Sequence, residues 1–176
     1  MFNVEQIDGL PEIYYTRPSA RFSPEQRLAH AAEFFARTGA VIRYGGNEAY
    51  YSMDADCIQM PPIEAFRDAG SFYSTLGHES AHWTKHPSRL NRDFGRRVWG
   101  DQGYAREELV AELASAFLAS DLGLTPEIRD DHAAYIVSWL EILKNDKRAI
   151  FSAASHAQRT VDFLHSLQKD RIEAAI

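Results

Sequence analysis

The run His78-Glu79-Ser80-Ala81-His82 lies in a stretch that reads as helix from Phe72 to about Lys85, stopped by Pro87. Its pattern is H-E-x-x-H. Residues i and i+4 of an α-helix are about 400° apart around the axis, so both imidazoles project from one face, one turn apart. That spacing suits two neighbouring ligands of a tetrahedral zinc ion. Glu79, next to the first histidine, is placed to reach a water in the open coordination position and take its proton. Ser80 and Ala81 add little bulk to the helix surface. The competing reading of the pentapeptide is a solvated helix face that happens to carry two histidines.

A third ligand has to come from another element. A histidine six residues beyond His82 would continue the pattern, but Ser88 occupies that position, and the glycine of that longer motif is missing as well. A later carboxylate would complete a His₂Glu set. The segment from Tyr104 reads as a helix to about 121 and carries Glu107-Glu108-Leu109-Val110-Ala111-Glu112, followed by Leu113, Ala114, Phe117 and Leu118. Glu108 and Glu112 share a face, and carboxylates within so apolar a helix need a partner, because unpaired buried charge is costly. Glu108 falls 26 residues after His82 and resembles the ligand position of thermolysin-like gluzincins; Glu112 resembles their carboxylate that orients a ligating histidine. Two alternatives stay open: Glu112 rather than Glu108 is the ligand, or Glu107, Glu108 and Glu112 are surface charges paired with Arg106 and other cations.

Around this core the chain reads as one domain, 23–176, preceded by an irregular arm, 1–22. Ser23-Pro24-Glu25-Gln26 is a helix start, with Ser23 as cap and Pro24 in the first turn. Leu28, Ala31, Ala32 and Phe35 then recur at helical spacing, predicting a helix over 24–37 ended by Gly39. Short strands are expected at 40–44, 49–53 and 57–60, separated by Gly45-Gly46-Asn47 and Asp54-Ala55-Asp56; with tight turns these form an antiparallel meander. A short helix is expected over 63–69, an irregular segment over 87–103, and further helices over about 126–144, capped by Thr125, and 147–169.

Of the 176 residues, 45% are hydrophobic and 25% charged, which excludes wholesale disorder, collagen and a coiled-coil rod. No apolar run approaches the roughly 18 residues of a membrane span, and no signal peptide is visible, so a cytoplasmic setting is the default expectation. A single cysteine, Cys57, rules out an internal disulfide and a cysteine-ligated zinc site; its setting in a strand suggests a small buried apolar role. Nucleotide-binding and α/β-hydrolase glycine motifs do not occur. The net charge of −6 argues against bulk nucleic-acid binding, yet 85–100 holds Lys85, Arg89, Arg92, Arg96 and Arg97 against Asp93. That local basicity is either a solvated loop or a steering surface for an acidic partner. His86, His132, Tyr135 and His156 are weaker candidates, and Trp83, Trp99 and Trp139 read as core or groove aromatics.

The residues together resemble the C-terminal metallopeptidase-like domain of the ArdC antirestriction proteins and related TraC-type plasmid primases, the polyvalent-protein metallopeptidase domain. The resemblance runs nearly the whole chain, through Phe2-Asn3-Val4-Glu5-Gln6-Ile7, Ala49-Tyr50-Tyr51, Ile58-Gln59-Met60-Pro61-Pro62, His78–His82, Glu107–Leu113, His132–Ile136, Ser138-Trp139-Leu140 and Asp146–Phe151. It implies a zincin-like fold and one divalent metal held by His78, His82 and Glu108. It also implies that relatives carry a further N-terminal domain associated with single-stranded DNA, which would join at Met1. The expected fold is therefore α+β and zincin-like, a small antiparallel sheet beside a helical bundle that contains the H-E-x-x-H helix. Strand 57–60 is expected to border the cleft as an edge able to receive an extended peptide. The expected function is zinc-dependent peptide-bond hydrolysis: His78, His82 and Glu108 hold Zn2+, Glu79 is the general base and Glu112 orients a histidine. The expected partner is a protein or peptide substrate, with only weak DNA contact and no membrane. The alternative is a non-catalytic, metal-stabilised module that contacts DNA or a restriction-system protein; an intact Glu79 favours the enzyme.

Overall fold

Helix α1 (Pro24–Arg37) begins with a proline, whose fixed φ and missing N–H suit a first helical turn. It turns Ala31, Phe34 and Phe35 into the core. Gly39, at φ 76°, takes the left-handed conformation that releases the chain from the helix. The computed structural model describes residues 24–95, 102–124 and 146–168, together with positions 9, 11, 139, 140, 143 and 144. The rest of the 1–22 arm, Ser23, Thr125, His132, Tyr135, Trp99, Arg96 and Arg97, and most of the helix expected over 126–144 lie outside the described residues.

Strands β1 (Val41–Tyr44), β2 (Tyr50–Ser52) and β3 (Cys57–Met60) form a three-stranded sheet in the order β1-β3-β2. β2 pairs antiparallel with β3, Tyr51 opposite Ile58, but β1 pairs parallel with β3, Ile42 opposite Ile58. The sheet is thus mixed, not the expected antiparallel meander. The cause lies in the Gly45–Ala49 link, which passes the end of β3 instead of closing a hairpin. Gly45 N donates to Met60 O at 2.9 Å, and Gln59 Nε2 donates to Gly45 O at 2.7 Å. β3 takes the centre because it is the most apolar strand: Cys57, Ile58 and Met60 are buried, whereas β1 and β2 are largely open. The strand expected at the rim with an edge for an added peptide is therefore paired on both sides.

After a 3₁₀ turn at Ile63–Ala65, where a longer helix was expected, α2 (Ala69–Trp83) begins. It starts earlier than its apolar pattern suggests because Asp68 caps it, accepting from Ser71 N at 2.8 Å and Ser71 Oγ at 2.9 Å. Every residue from Ser74 to Trp83 is buried, so α2 is an internal helix enclosed by the sheet, α1, α3 and α4. Its last carbonyls are satisfied from the following loop: Arg89 Nε donates to Trp83 O at 2.7 Å and Arg92 Nη2 to Ala81 O at 2.9 Å, which places cations where the helix dipole favours them. α3 (Gln102–Leu122) packs along α2 and contributes Val110, Ala114 and Leu118 to the core. α4 (Ala149–Ser166) closes the other side of α3 with Ala157, Val161 and Leu164. None of the described helices is long and apolar enough to cross a membrane.

Candidate metal centre

His78 and His82 project from the enclosed middle of α2 toward α3, with their rings 4.8 Å apart and nearly perpendicular. Their Nε2 atoms stand 3.2 Å apart. Glu108 faces both: Oε2 lies 3.5 Å from His78 Nε2, and Oε1 3.3 Å from His82 Nε2. The opposite ring nitrogens have separate partners. His78 Nδ1 lies 3.1 Å from Glu112 Oε1, and His82 Nδ1 lies 3.1 Å from Glu107 Oε1. The hydrogen bond to Glu107 holds His82 as the Nδ1–H tautomer and leaves its Nε2 lone pair for a metal, while His78 Nδ1 stands at ion-pair distance from Glu112 without a hydrogen bond.

The donor set fits a metal ion. His78, His82 and Glu108 are the group among the described residues whose donor atoms gather, all within 4.8 Å of one another. A tetrahedral ion with ligands at about 2.0–2.1 Å separates neighbouring donors by about 3.3 Å, close to the 3.2 Å between the Nε2 atoms, while the two Glu108 oxygens face one histidine each at 3.5 and 3.3 Å. Glu108 thus lies on the Nε2 side and Glu112 on the Nδ1 side, which distinguishes the two carboxylates that sequence alone left exchangeable.

The electrostatics are those of a crowded acidic cluster. Burial alone would drive both imidazoles neutral, but the acceptor carboxylates of Glu108 and Glu112 hold the His78 pKa up at about 10. Glu107 and Glu108 likewise hold His82 above its ordinary value. The carboxylates respond in the opposite sense. Burial would raise Glu107, yet Arg92 and His82 bring it down to about 2, and the two histidines hold Glu108 well below the usual range. Glu79 is 5% exposed, and its charge adds to the upward pull on His78.

Two residues of this centre escaped the sequence reading. Glu107 had been grouped with possible surface acids, and Arg92 with a basic loop. Both are buried, and Arg92 grips Glu107 with two 2.8 Å hydrogen bonds. The available signal is the apolar run after Glu107: positions 107–111 are all buried, so this turn of the helix is enclosed all round and the Glu107 carboxylate faces inward too. Arg89 also turns inward, to Asp56 and Tyr51 Oη and over the Trp83 ring. Of the cations in 85–95, Arg92 is buried and Arg89 is half-buried against Asp56. The remaining candidates lie off the centre. His86 Nδ1 meets Ser88 Oγ at 2.7 Å, His156 packs edge-on against Phe94, and Cys57 is buried as expected. A cleft lined by Lys85, Asp93, Phe94, Gly95 and Tyr104 opens onto Glu108.

Comparison with known proteins agrees with this geometry. The chain is 46% identical over 171 residues to the uncharacterized protein y4eC of Sinorhizobium fredii (strain NBRC 101917 / NGR234), covering 97% of this chain and 54% of that protein. It is 40% identical over 174 residues to the DNA primase TraC of Escherichia coli, covering 98% of this chain but 16% of TraC. Among solved structures it is similar to the antirestriction protein ArdC of plasmid R388. The Mn(II)-bound form superposes with a TM-score of 0.75 at 46% identity, over 97% of this chain and 62% of ArdC. The metal-free form gives 0.73 at 48% identity, over 94% and 58%. The chain thus spans about half of y4eC and a small part of TraC. A family model described as zincin-like metallopeptidase, MPTase-PolyVal, matches residues 29–156, and the chain belongs to that family.

Proposed function

We propose that this domain is a metal-dependent peptidase whose His78, His82 and Glu108 hold a divalent cation, zinc by the chemistry of a His₂Glu donor set. The observation that carries the reading is that, among the described residues, three donors converge rather than four. A structural zinc site is closed by four protein ligands, whereas a catalytic one keeps a position open. That ArdC has been solved in a Mn(II)-bound form supports a divalent ion in this chain. When bound, such an ion acidifies a water and polarises a carbonyl oxygen.

The rest of the chemistry belongs to side chains of this chain. Glu79, buried beside His78, accepts the proton of the attacking water on its carboxylate and passes it to the leaving nitrogen. Glu107 holds the Nδ1 proton of His82, and Glu112 places its charge 3.1 Å from His78 Nδ1, so that both Nε2 atoms face inward. The cleft beside Glu108, with Phe94 and Tyr104 in its walls, receives the polypeptide. We extend to this chain, as part of the proposal, the antirestriction setting that the name of ArdC carries, with a protein or peptide as substrate. The DNA-contacting alternative loses ground because Arg89 and Arg92 turn toward Asp56 and Glu107. The test is a metal-replete screen against a peptide library and a cell proteome, with Glu79→Gln as control. Cleavage that needs metal and Glu79 supports the reading; a complete lack of metal-dependent cleavage overturns it.

A further inference from the structure

We infer that Arg92 is a positioning residue for the metal centre: by gripping both oxygens of Glu107 it fixes His82 with its proton on Nδ1 and its Nε2 turned to the metal. The inference rests on the metal-binding reading given above.

The geometry is specific. A guanidinium has five N–H donors in a fixed plane, and here all five are used. Nε donates to Glu107 Oε2 at 2.8 Å, and Nη2 donates to Glu107 Oε1 at 2.8 Å and to Ala81 O at 2.9 Å. Nη1 donates to Thr84 Oγ1 at 3.1 Å and Thr160 Oγ1 at 2.9 Å. The Oε1 that Arg92 holds is the same atom that meets His82 Nδ1 at 3.1 Å. Arg92 therefore fixes two things about His82 at once: the backbone carbonyl just before it, and the carboxylate that sets its ring plane and tautomer. An ion pair serving stability alone has no need to share an oxygen with the histidine. A lysine could not replace this arrangement, since a point charge with three donors cannot span both Glu107 oxygens, the Ala81 carbonyl and two threonines.

The experiment uses the whole chain and three variants, Glu107→Gln, Arg92→Lys and Thr160→Val, titrated with Zn(II) and Mn(II) against a chromophoric chelator at one pH. A second readout is the exchange of the His82 Nδ1 proton in ¹⁵N spectra of the zinc-loaded protein. Glu107→Gln is expected to weaken metal binding by about 10–100-fold, the usual loss when an outer-shell partner is removed, with Arg92→Lys at the lower end of that range. Both are expected to convert a slowly exchanging Nδ1 proton to a fast one. Thr160→Val removes one contact of Arg92 to α4 but none to Glu107, and is expected to keep wild-type affinity and slow exchange. Unchanged affinity and exchange in Glu107→Gln overturns the inference, as does loss in all three variants in step with their melting temperatures. Should Arg92→Lys fail to fold, Glu107→Gln decides alone. If the wild type binds neither ion, the metal-binding reading falls and this inference with it; if only the variants are unaffected, this inference falls by itself.

Discussion

Metal binding at this centre should expel one proton, and the structure sets the cost. Both Nδ1 atoms face carboxylates, so the titrating proton lies on the Nε2 side, where two nitrogens stand 3.2 Å apart and share Glu108. One proton is held well there; a second would set two N–H groups against each other. The pair therefore titrates as a unit, and the midpoint to use is the His78 value of about 10. Because the metal needs the lone pair that this proton occupies, the logarithm of the association constant should rise by about one per pH unit below that midpoint. At pH 7, about three units below it, the displacement costs roughly 4 kcal/mol, or about 10³-fold in affinity. Competition titrations with zinc from pH 6 to 9 measure the slope, and calorimetry in buffers of different ionisation heat counts the proton. A flat affinity, or a count of zero or two, refutes the reasoning. The sign for stability is opposite. A raised histidine pKa stabilises the metal-free fold fully below its ordinary 6.5, and that contribution is lost as pH rises toward about 10. The metal-free melting temperature should thus decline across this window, while the metal-loaded protein is spared.

Other outcomes follow from the same geometry. Glu79→Gln should leave zinc content and melting temperature near wild type while hydrolysis falls about 10²–10⁴-fold; retained cleavage would remove Glu79 from the mechanism. Glu108→Ala should lower zinc affinity more than Glu112→Ala, whose loss should stay within about 10–100-fold; competition titrations that rank them the other way would move the ligand role to Glu112. Affinity of this chain for single-stranded DNA should be weak and steeply salt-dependent, since Arg89 and Arg92 are engaged internally; tight binding at physiological salt in an anisotropy titration would contradict this.

What the sequence disclosed, and what it hid, divides along a physical line. Features that depend on neighbours along the chain were legible. Pro24 and the Leu28–Phe35 spacing gave α1 its bounds, and the H-E-x-x-H spacing put both histidines on one face of α2. The cap at Asp68 is equally local, but the apolar spacing that marks the helix begins only at Phe72, so the pattern places the start too late. Sheet order was not local. Gly45-Gly46-Asn47 announces a turn, but whether the chain lands beside β1 or crosses to the far side of β3 depends on which strand is apolar enough for the centre. Turn chemistry alone cannot give that result.

The site divides in the same way, and its hidden half explains the visible half. Spacing singles out His78, His82, Glu108 and Glu112 as candidates, because each pair repeats at one helical turn, and the fold brings the four together. Glu107 and Arg92 meet across 15 residues and two elements, and no periodicity records that pairing. Yet without them the visible residues make an unstable set. Glu107 and Glu108 are both buried beside two imidazoles, and like charges in so poorly solvated a place raise one another's pKa unless something positive intervenes. Arg92 neutralises Glu107. Among the described residues no guanidinium pairs with Glu108, so the positive charge has to come from the histidine pair or from an ion. A proton on the Nε2 side and a divalent cation at the same point are thus two solutions to one electrostatic problem. Each excludes the other, which is why metal affinity here should depend on pH.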